Sequence, residues 1–251
     1  MTTMGDDIRK HCREIDRCNQ RGGRMLSVKD LLAAGTITEE LAAYSLAAIG
    51  GGASFMIGAL PGGAGKTTVM GALLNFVPAG VELAVADGLD AIHAALGDRG
   101  QRTRRCYICH EISPGPYYAY LWDEAIRAFF ELPTAGHTLA TNLHADTFDQ
   151  AADQLHKDNA LGEEAFRRMN LIYFLSLTGR GPVKRRVAEV WETDGMRPHR
   201  KVFDHGELGD SILVSRVQLT RARGGIEAIK SCPSNQISDV RSAILNHFAS
   251  H

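Results

Sequence analysis

An α/β fold built on a mostly parallel sheet is what this sequence predicts, and three features predict it. A short apolar run, Ala53-Ser54-Phe55-Met56-Ile57-Gly58-Ala59, enters a glycine-rich turn, Leu60-Pro61-Gly62-Gly63-Ala64-Gly65-Lys66-Thr67-Thr68, and the chain then continues as an apolar helical stretch from Thr68 to Phe76. Downstream, short strand-like apolar runs alternate with helical stretches, the pattern of parallel strands joined by crossover helices. With 251 residues, 44% hydrophobic and 23% charged, the chain has the length and composition of one large globular domain, or of one domain with a small appendage.

From the N-terminus, Ile8 to Asn19 reads as a modest helix broken by Gly22-Gly23, and Met25 to Ala34 as another stopped by Gly35. Thr38 is a natural N-cap for a third helix that runs to about Ile49 and ends at Gly50-Gly51-Gly52. After the glycine-rich turn and its helix, Pro78-Ala79-Gly80 makes a turn, and Val81 to Ala86 reads as a strand ending at Asp87. Cys106–Ile112, Thr138–Leu143 and Leu171–Leu177 are further strands. Helices are expected over Leu121–Leu132, Thr147–Asp158 and briefly at Ala165–Arg168. Beyond Gly179 the pattern changes: Arg185–Trp191, Lys201–Phe203, Ile212–Leu219 and Ile226–Ile229 read as short strands, and Ser238–Phe248 as a closing amphipathic helix. Three regions are therefore expected: a helical segment over 1–50, a nucleotide-binding core over 51–180 and a β-rich part over 181–251.

Composition excludes several classes. A net charge of −1 offers no general attraction to nucleic acid or anionic lipid, although 180–230 holds eleven Lys/Arg against seven Asp/Glu. Met1 to Arg24 is too polar for a signal peptide, and no apolar run approaches the ~20 residues needed to span a bilayer. A cytoplasmic protein is expected, reaching a membrane only through a partner. Its five cysteines should then be reduced. Cys106-Tyr107-Ile108-Cys109-His110 has the spacing of a zinc half-site or a haem attachment site, but it falls in a stretch that reads as a core strand.

The turn at 60–68 carries the chemistry. Backbone N–H groups of Pro61-Gly62-Gly63-Ala64-Gly65-Lys66-Thr67-Thr68, as far as proline allows, would cradle phosphate oxygens at the start of a helix. Lys66 would add a point charge and the Thr67 hydroxyl would reach a Mg²⁺ that arrives with ATP. The usual spacing places a glycine where this chain has Leu60; Gly58 comes two residues early and Gly62-Gly63 form a pair instead. A second segment, Gly136-His137 followed by Thr141-Asn142-Leu143-His144, lies downstream of a strand ending in Glu111. His144 with Asp146, Asp149 and His156 can also be read as a metal cluster or as a solvated helix face.

In that order, these motifs resemble the secretion, pilus-assembly and archaeal motility ATPases of the type II/type IV secretion superfamily. Leu26 to Tyr44 looks like the linker helices of archaeal members, Leu74-Asn75-Phe76-Val77-Pro78 like the segment after the phosphate-loop helix, and Arg186-Val187-Ala188-Glu189-Val190 like the opening of the C-terminal part. The resemblance implies a RecA-like P-loop core with a reduced N-terminal domain, ATP with Mg²⁺, and Thr67 on the metal. It further implies Glu111 polarising the attacking water, His144 near the γ-phosphate and Asp87 supporting the metal through water. It implies a homo-oligomeric ring, most simply a hexamer, working on a membrane platform protein. Arg102, Arg104 and Arg105 are candidates for a finger reaching a neighbouring subunit. The chain departs from the family at Leu60, at Ala86 beside a lone Asp87, at His110 and at Ser113, and a Pro/Gly/Tyr-rich stretch over 114–120 comes after Glu111. Other expectations therefore stand beside the motor: a degenerate nucleotide-binding regulator with little turnover, an unrelated soluble P-loop NTPase or kinase and, more weakly, a nucleic-acid translocase.

Overall fold

A computed structural model of the chain describes residues 4–19, 22–97, 103–179 and 183–250. Its centre is one sheet sandwiched between two layers of helices. The strands are β1 (Phe55–Gly58), β2 (Glu82–Val85), β3 (Arg105–Ile112), β4 (Tyr120–Leu121), β5 (Thr138–Leu143), β6 (Leu171–Thr178), β7 (Lys184–Glu192), β8 (Arg200–Asp204) and β9 (Glu207–Leu208). They lie in the order β2-β3-β5-β1-β6-β7-β8-β9, with the short β4 beside β3. The pairs from β2 through β6 are parallel, and those from β6 through β9 are antiparallel. This is the expected α/β arrangement on a mostly parallel sheet, with the strand that feeds the glycine turn inside the parallel part, between β5 and β6.

The helices are α1 (Met4–Arg17), α2 (Val28–Ala33), α3 (Glu39–Gly50), α4 (Lys66–Leu74), α5 (Leu89–Gly97), α6 (Glu124–Phe129), α7 (Phe148–Asp153), α8 (Glu163–Phe166), α9 (Arg216–Ser231) and α10 (Ile237–Ala249). Two apolar cores cover the two faces of the sheet. One gathers α1 to α4, α9 and α10 around Phe55, Ile57 and Tyr173, and the other gathers α5 to α8 around Met56, Ile172 and Phe174. The central strands are buried on both faces, hence their near-continuous apolar runs.

Local sequence sets most boundaries. The Thr38 hydroxyl accepts from Leu41 N–H at 3.1 Å and starts α3, as expected from an N-cap. The segment after Asp87 proves to be helix α5, and the expected helix over 121–132 is shortened to α6 with a 3₁₀ turn at Leu132–Ala135. The larger correction is C-terminal. Residues 216–219 and 226–229, expected in strands, belong to the single sixteen-residue helix α9. Its β-branched lead-in and Gly224-Gly225 imitate strand and turn. Its start is a capping box in which Ser215 and Gln218 satisfy each other's backbone N–H groups. The glycines permit close packing: a Cβ on Gly225 would stand 2.8 Å from Leu46 of α3, and one on Gly224 2.9 Å from His247 of α10.

Two buried polar groups fasten this frame. The Glu192 carboxylate, fully buried at the end of β7, accepts from Tyr44 OH (2.9 Å), Ser211 Oγ (2.7 Å), Ile212 N–H (2.9 Å) and the Arg200 guanidinium (3.0 Å). It thereby ties α3, β7, β8 and the lead-in to α9. At the other side, α1 and α10 hold the C-terminal end of α4. His11 Nε2–H donates to the Leu74 carbonyl at 3.1 Å, and Arg241 donates to the Asn75 and Val77 carbonyls at 2.7 and 2.5 Å. A cation there complements the negative end of the helix dipole. Burial, with the Arg241 charge beside it, holds the His11 imidazole down to about 3, and burial pulls the Arg241 guanidinium down to about 10.

These contacts predict two outcomes. Glu192→Ala strands several buried donors and should lower the free energy of unfolding by about 3–5 kcal/mol, measured by denaturant titration. His11 binds a proton more weakly folded than unfolded, so its contribution is present above its unfolded pKa and is lost as pH falls toward 3. Wild-type stability should therefore fall below about pH 6 by up to about 1.4 kcal/mol per unit, and His11→Gln should remove that part of the slope.

Candidate functional site

β1, β5 and β3 lie side by side and parallel, so their C-terminal ends open at the same edge of the sheet. β1 delivers the glycine turn there, β5 delivers His144 just past its end, and β3 delivers Glu111. The Pro61–Ala64 part of the loop closes as a turn, with Ala64 N–H donating to the Pro61 carbonyl at 3.2 Å. Gly65, at φ +100°, caps α4 in a backbone conformation that favours glycine, and α4 begins at Lys66. Thr67 and Thr68 fill its first turn, half-buried.

Lys66 does not extend over the loop. Its ammonium is buried at the floor, donating to the Ala59 carbonyl at 3.0 Å, with His144 Nδ1 at 3.3 Å and Glu111 Oε1 at 3.6 Å. His144 Nε2 stands 3.8 Å from the same Glu111 oxygen. Three residues 45 and 33 positions apart in sequence thus meet in one cluster. Glu111 is 7% exposed, and its Oε1 makes no hydrogen bond; the lysine contact is an ion pair longer than a normal hydrogen bond. Burial pushes the Glu111 carboxyl up, opposed by the Lys66 and His144 charges, while burial pulls the Lys66 ammonium down, opposed by Glu111. Both charged forms are disfavoured here, and each is the other's main compensation.

A bulge aims Glu111. The register between β3 and β5 shifts between Cys109 and Ile112. Tyr107 and Cys109 face the α5–α8 core, as does Ile112, which simple alternation would have turned the other way. The extra residue reverses the alternation and swings Glu111 to the α4 side, toward Lys66.

His144 Nδ1 also lies 3.2 Å from the Leu60 carbonyl. One ring nitrogen cannot accept from an ammonium and donate to a carbonyl at once. With Lys66 charged and bonded, Nδ1 accepts, and the proton sits on Nε2, facing Glu111. With Lys66 withdrawn, Nδ1–H is free to donate to Leu60. Leu60, the departure from the usual glycine, is gripped at its other end as well: its N–H donates to Asp146 Oδ1 at 2.7 Å. That amide is already engaged, so the free N–H groups of the loop begin after it.

The remaining candidates fall elsewhere. Asp87 sits exposed just past β2, separated from β1 by β3 and β5, where its charge bears on His110 and Tyr118. His137 precedes β5, roughly 20 Å along the strand from His144. It is buried, with Nδ1 accepting from Arg105 N–H at 3.2 Å and its ring edge-on to Tyr107. Arg104 and Arg105 lie at that same far end, bonded to the Gly136 carbonyl and to Glu82, and Arg102 lies outside the described residues. Cys106 and Cys109 belong to opposite cores, and burial pushes each thiol up to about 12, so the pair cannot close on one metal. Among the described residues, the His/Asp/Glu group close enough to share an ion is Glu189, Asp204 and His205, not the set around His144. Asp146 and Gly63, which shape the loop through Leu60 and β7, carried no signal beyond the motif itself.

No family model matches the chain, and no curated protein does. Among solved structures it is similar to the VirB11 ATPase of the Brucella suis type IV secretion system, crystallised with sulphate, at 15% identity and a TM-score of 0.45. That alignment covers 78% of this chain and 66% of that one. It is also similar to the Legionella pneumophila ATPase DotB at 16% identity and a TM-score of 0.40, over 59% of this chain and 48% of that one. The chain thus spans less than two thirds of either structure. No helix among the described residues is long and apolar enough to cross a membrane.

If Lys66 and Glu111 compensate one another, their substitutions are not additive. Lys66→Ala, Glu111→Gln and the double variant, unfolded without nucleotide, should show a coupling energy of about 1–3 kcal/mol. Coupling below ~0.5 kcal/mol would mean that the pair is incidental.

Proposed function

We propose that this chain binds and hydrolyses ATP as a motor subunit of the kind found in secretion and pilus-assembly machines. One observation carries the proposal: Lys66, Glu111 and His144, from three separate motifs, meet beneath a glycine loop that opens a helix. The loop amides from Gly62 to Thr68 and the Lys66 ammonium hold the β- and γ-phosphates. Lys66 exchanges its contacts at the floor for the phosphate oxygens, which is favourable because a buried ammonium gains a full anionic partner.

The residues fit a Mg²⁺ bound with the nucleotide. Thr67, in the first turn of α4, would hold it, and Glu111 has a buried oxygen lacking a hydrogen bond. The metal would neutralise phosphate charge. Glu111, released from Lys66, orients water for in-line attack, and its upward-shifted carboxyl is better matched to holding a proton than an exposed glutamate is. His144 passes from Lys66 to the terminal phosphate. Asp87, exposed past β2 with β3 and β5 between it and β1, takes no part in this cluster.

Ring assembly, most simply as a hexamer, and action on a membrane-embedded platform protein from the cytoplasmic side belong to the same proposal, as does an archaeal-like lineage. The reading in which nucleotide is bound with little turnover has its own support. Leu60 is clamped by Asp146, and Lys66 is turned inward onto Ala59 and Glu111.

Mg-dependent ATP hydrolysis per subunit, measured over a range of protein concentrations, decides between them. Rising specific activity that vanishes in Lys66→Ala is expected of sites completed between subunits. Activity independent of concentration indicates a self-contained NTPase. Tight ATP binding without turnover above the Lys66→Ala background indicates a regulator.

A further inference from the structure

We propose that Arg185 is a nucleotide-contacting residue in cis, its guanidinium laid on the polyphosphate bound in the phosphate loop of its own chain. The inference rests on the nucleotide reading above and adds to it a residue from outside the recognised motifs.

Topology brings Arg185 there. β1 stops at Gly58, opposite Phe174, but β6 continues to Thr178 and β7 pairs back along that extension, with Arg185 opposite Leu177. The stretch from Lys184 to Val187 therefore stands beyond the end of β1, on the side where the glycine loop opens. Leu175, Leu177 and Val187 pack into the core on the α4 face of the sheet. Arg185, two residues from Val187, shares that face and so reaches over the N-terminal end of α4.

The contacts agree. Arg185 Nε–H donates to the Gly63 carbonyl at 3.2 Å. Its Cδ lies 3.2 Å from where a Cβ on Gly65 would stand, so any larger residue at 65 would displace it. Among the described residues no carboxylate pairs with Arg185, and its two terminal nitrogens make no hydrogen bond. Only Nε is engaged, which leaves the forked N–H groups that match phosphate geometry.

The charge distribution calls for an anion. Arg185, the positive end of the α4 dipole and the Lys66 ammonium converge on one loop. The acids placed among them are Glu111, buried beneath the loop with one oxygen lacking a hydrogen bond, and Asp146, which is taken up by the Leu60 N–H. Cations at a helix N-terminus repel its dipole, so this arrangement costs free energy until a ligand of high negative charge arrives. A nucleoside di- or triphosphate has that charge and fits the loop; a monophosphate would engage the cluster weakly.

ADP and AMP affinities of the full chain test this with Arg185→Gln, Arg185→Lys and Lys66→Ala, alongside thermal unfolding without nucleotide. Arg185→Gln should weaken ADP about 10- to 100-fold and leave AMP nearly unchanged. Arg185→Lys should recover part of the loss as a point charge without the fork. Unliganded Arg185→Gln should melt at or slightly above the wild-type temperature, because a charge that repels the helix dipole is gone. If Arg185→Gln binds ADP normally while Lys66→Ala does not, the guanidinium merely props the loop and the proposal falls. If Lys66→Ala also binds ADP normally, the nucleotide site itself is wrong, and this inference fails with it. If Arg185→Gln melts early, the salt dependence of ADP binding decides: a shallower dependence than wild type upholds the contact, and an unchanged one overturns it.

Discussion

Parallel pairing of β1 with β5, and of β5 with β3, is the constraint on which the rest of the structure depends. Parallel strands end at the same edge, so the segments leaving them are delivered to one place. The glycine loop leaves β1, His144 lies just beyond β5 and Glu111 closes β3. Antiparallel insertion of either neighbour would have sent its functional residue to the opposite edge, where His137, Arg104 and Arg105 are found. The antiparallel strands begin only beyond β6, and there the hairpin direction serves a different end by returning Arg185 toward the loop.

Within that edge, burial alone makes the electrostatics unfavourable. An ammonium and a carboxylate, each disfavoured by desolvation, face one another at 3.6 Å without a full hydrogen bond. A buried pair of this kind contributes little net stability, and its geometry is not the best available to either group. In the proposed site, a phosphate would give Lys66 a stronger partner and free Glu111 at the same moment. Under the proposed function, binding would change the protonation preference of Glu111 and the hydrogen-bond partner of His144 Nδ1.

Much of this was legible in the sequence because it is local. The apolar run before the turn, the glycines, Gly65-Lys66-Thr67 and the Thr38 N-cap each report on a few neighbouring residues, and each appears where expected. Three things were not local. The β3 bulge that turns Glu111 toward Lys66 depends on its register against β5, and strand alternation read from Tyr107 and Cys109 alone points Glu111 the other way. Gly224-Gly225 imitate a turn, because their purpose, close approach to α3 and α10, lies in other elements. Asp146 holds Leu60 across 86 positions, and no spacing rule connects them. The Ser215–Gln218 capping box was present in the sequence and outweighed by the β-branched residues around it.

The P-loop helix shows how these levels combine. α4 is nine residues, about 13 Å of stiff backbone, with both ends held by other parts of the chain. Its N-terminal end meets the Gly63–Gly65 arch and the side chain of Arg185. Its C-terminal carbonyls are taken by His11 of α1 and Arg241 of α10, both buried. A rod this short does not bend to absorb a shift at one end; it passes the shift on or resists it. Since the side chains at the far end are buried and bonded to backbone, moving them exposes polar groups that have no substitute partners in the core. α1, α4 and α10 must therefore move together or not at all. A helix whose first turn meets the glycine loop at one end is, by the same contacts, anchored to α1 and α10 at the other.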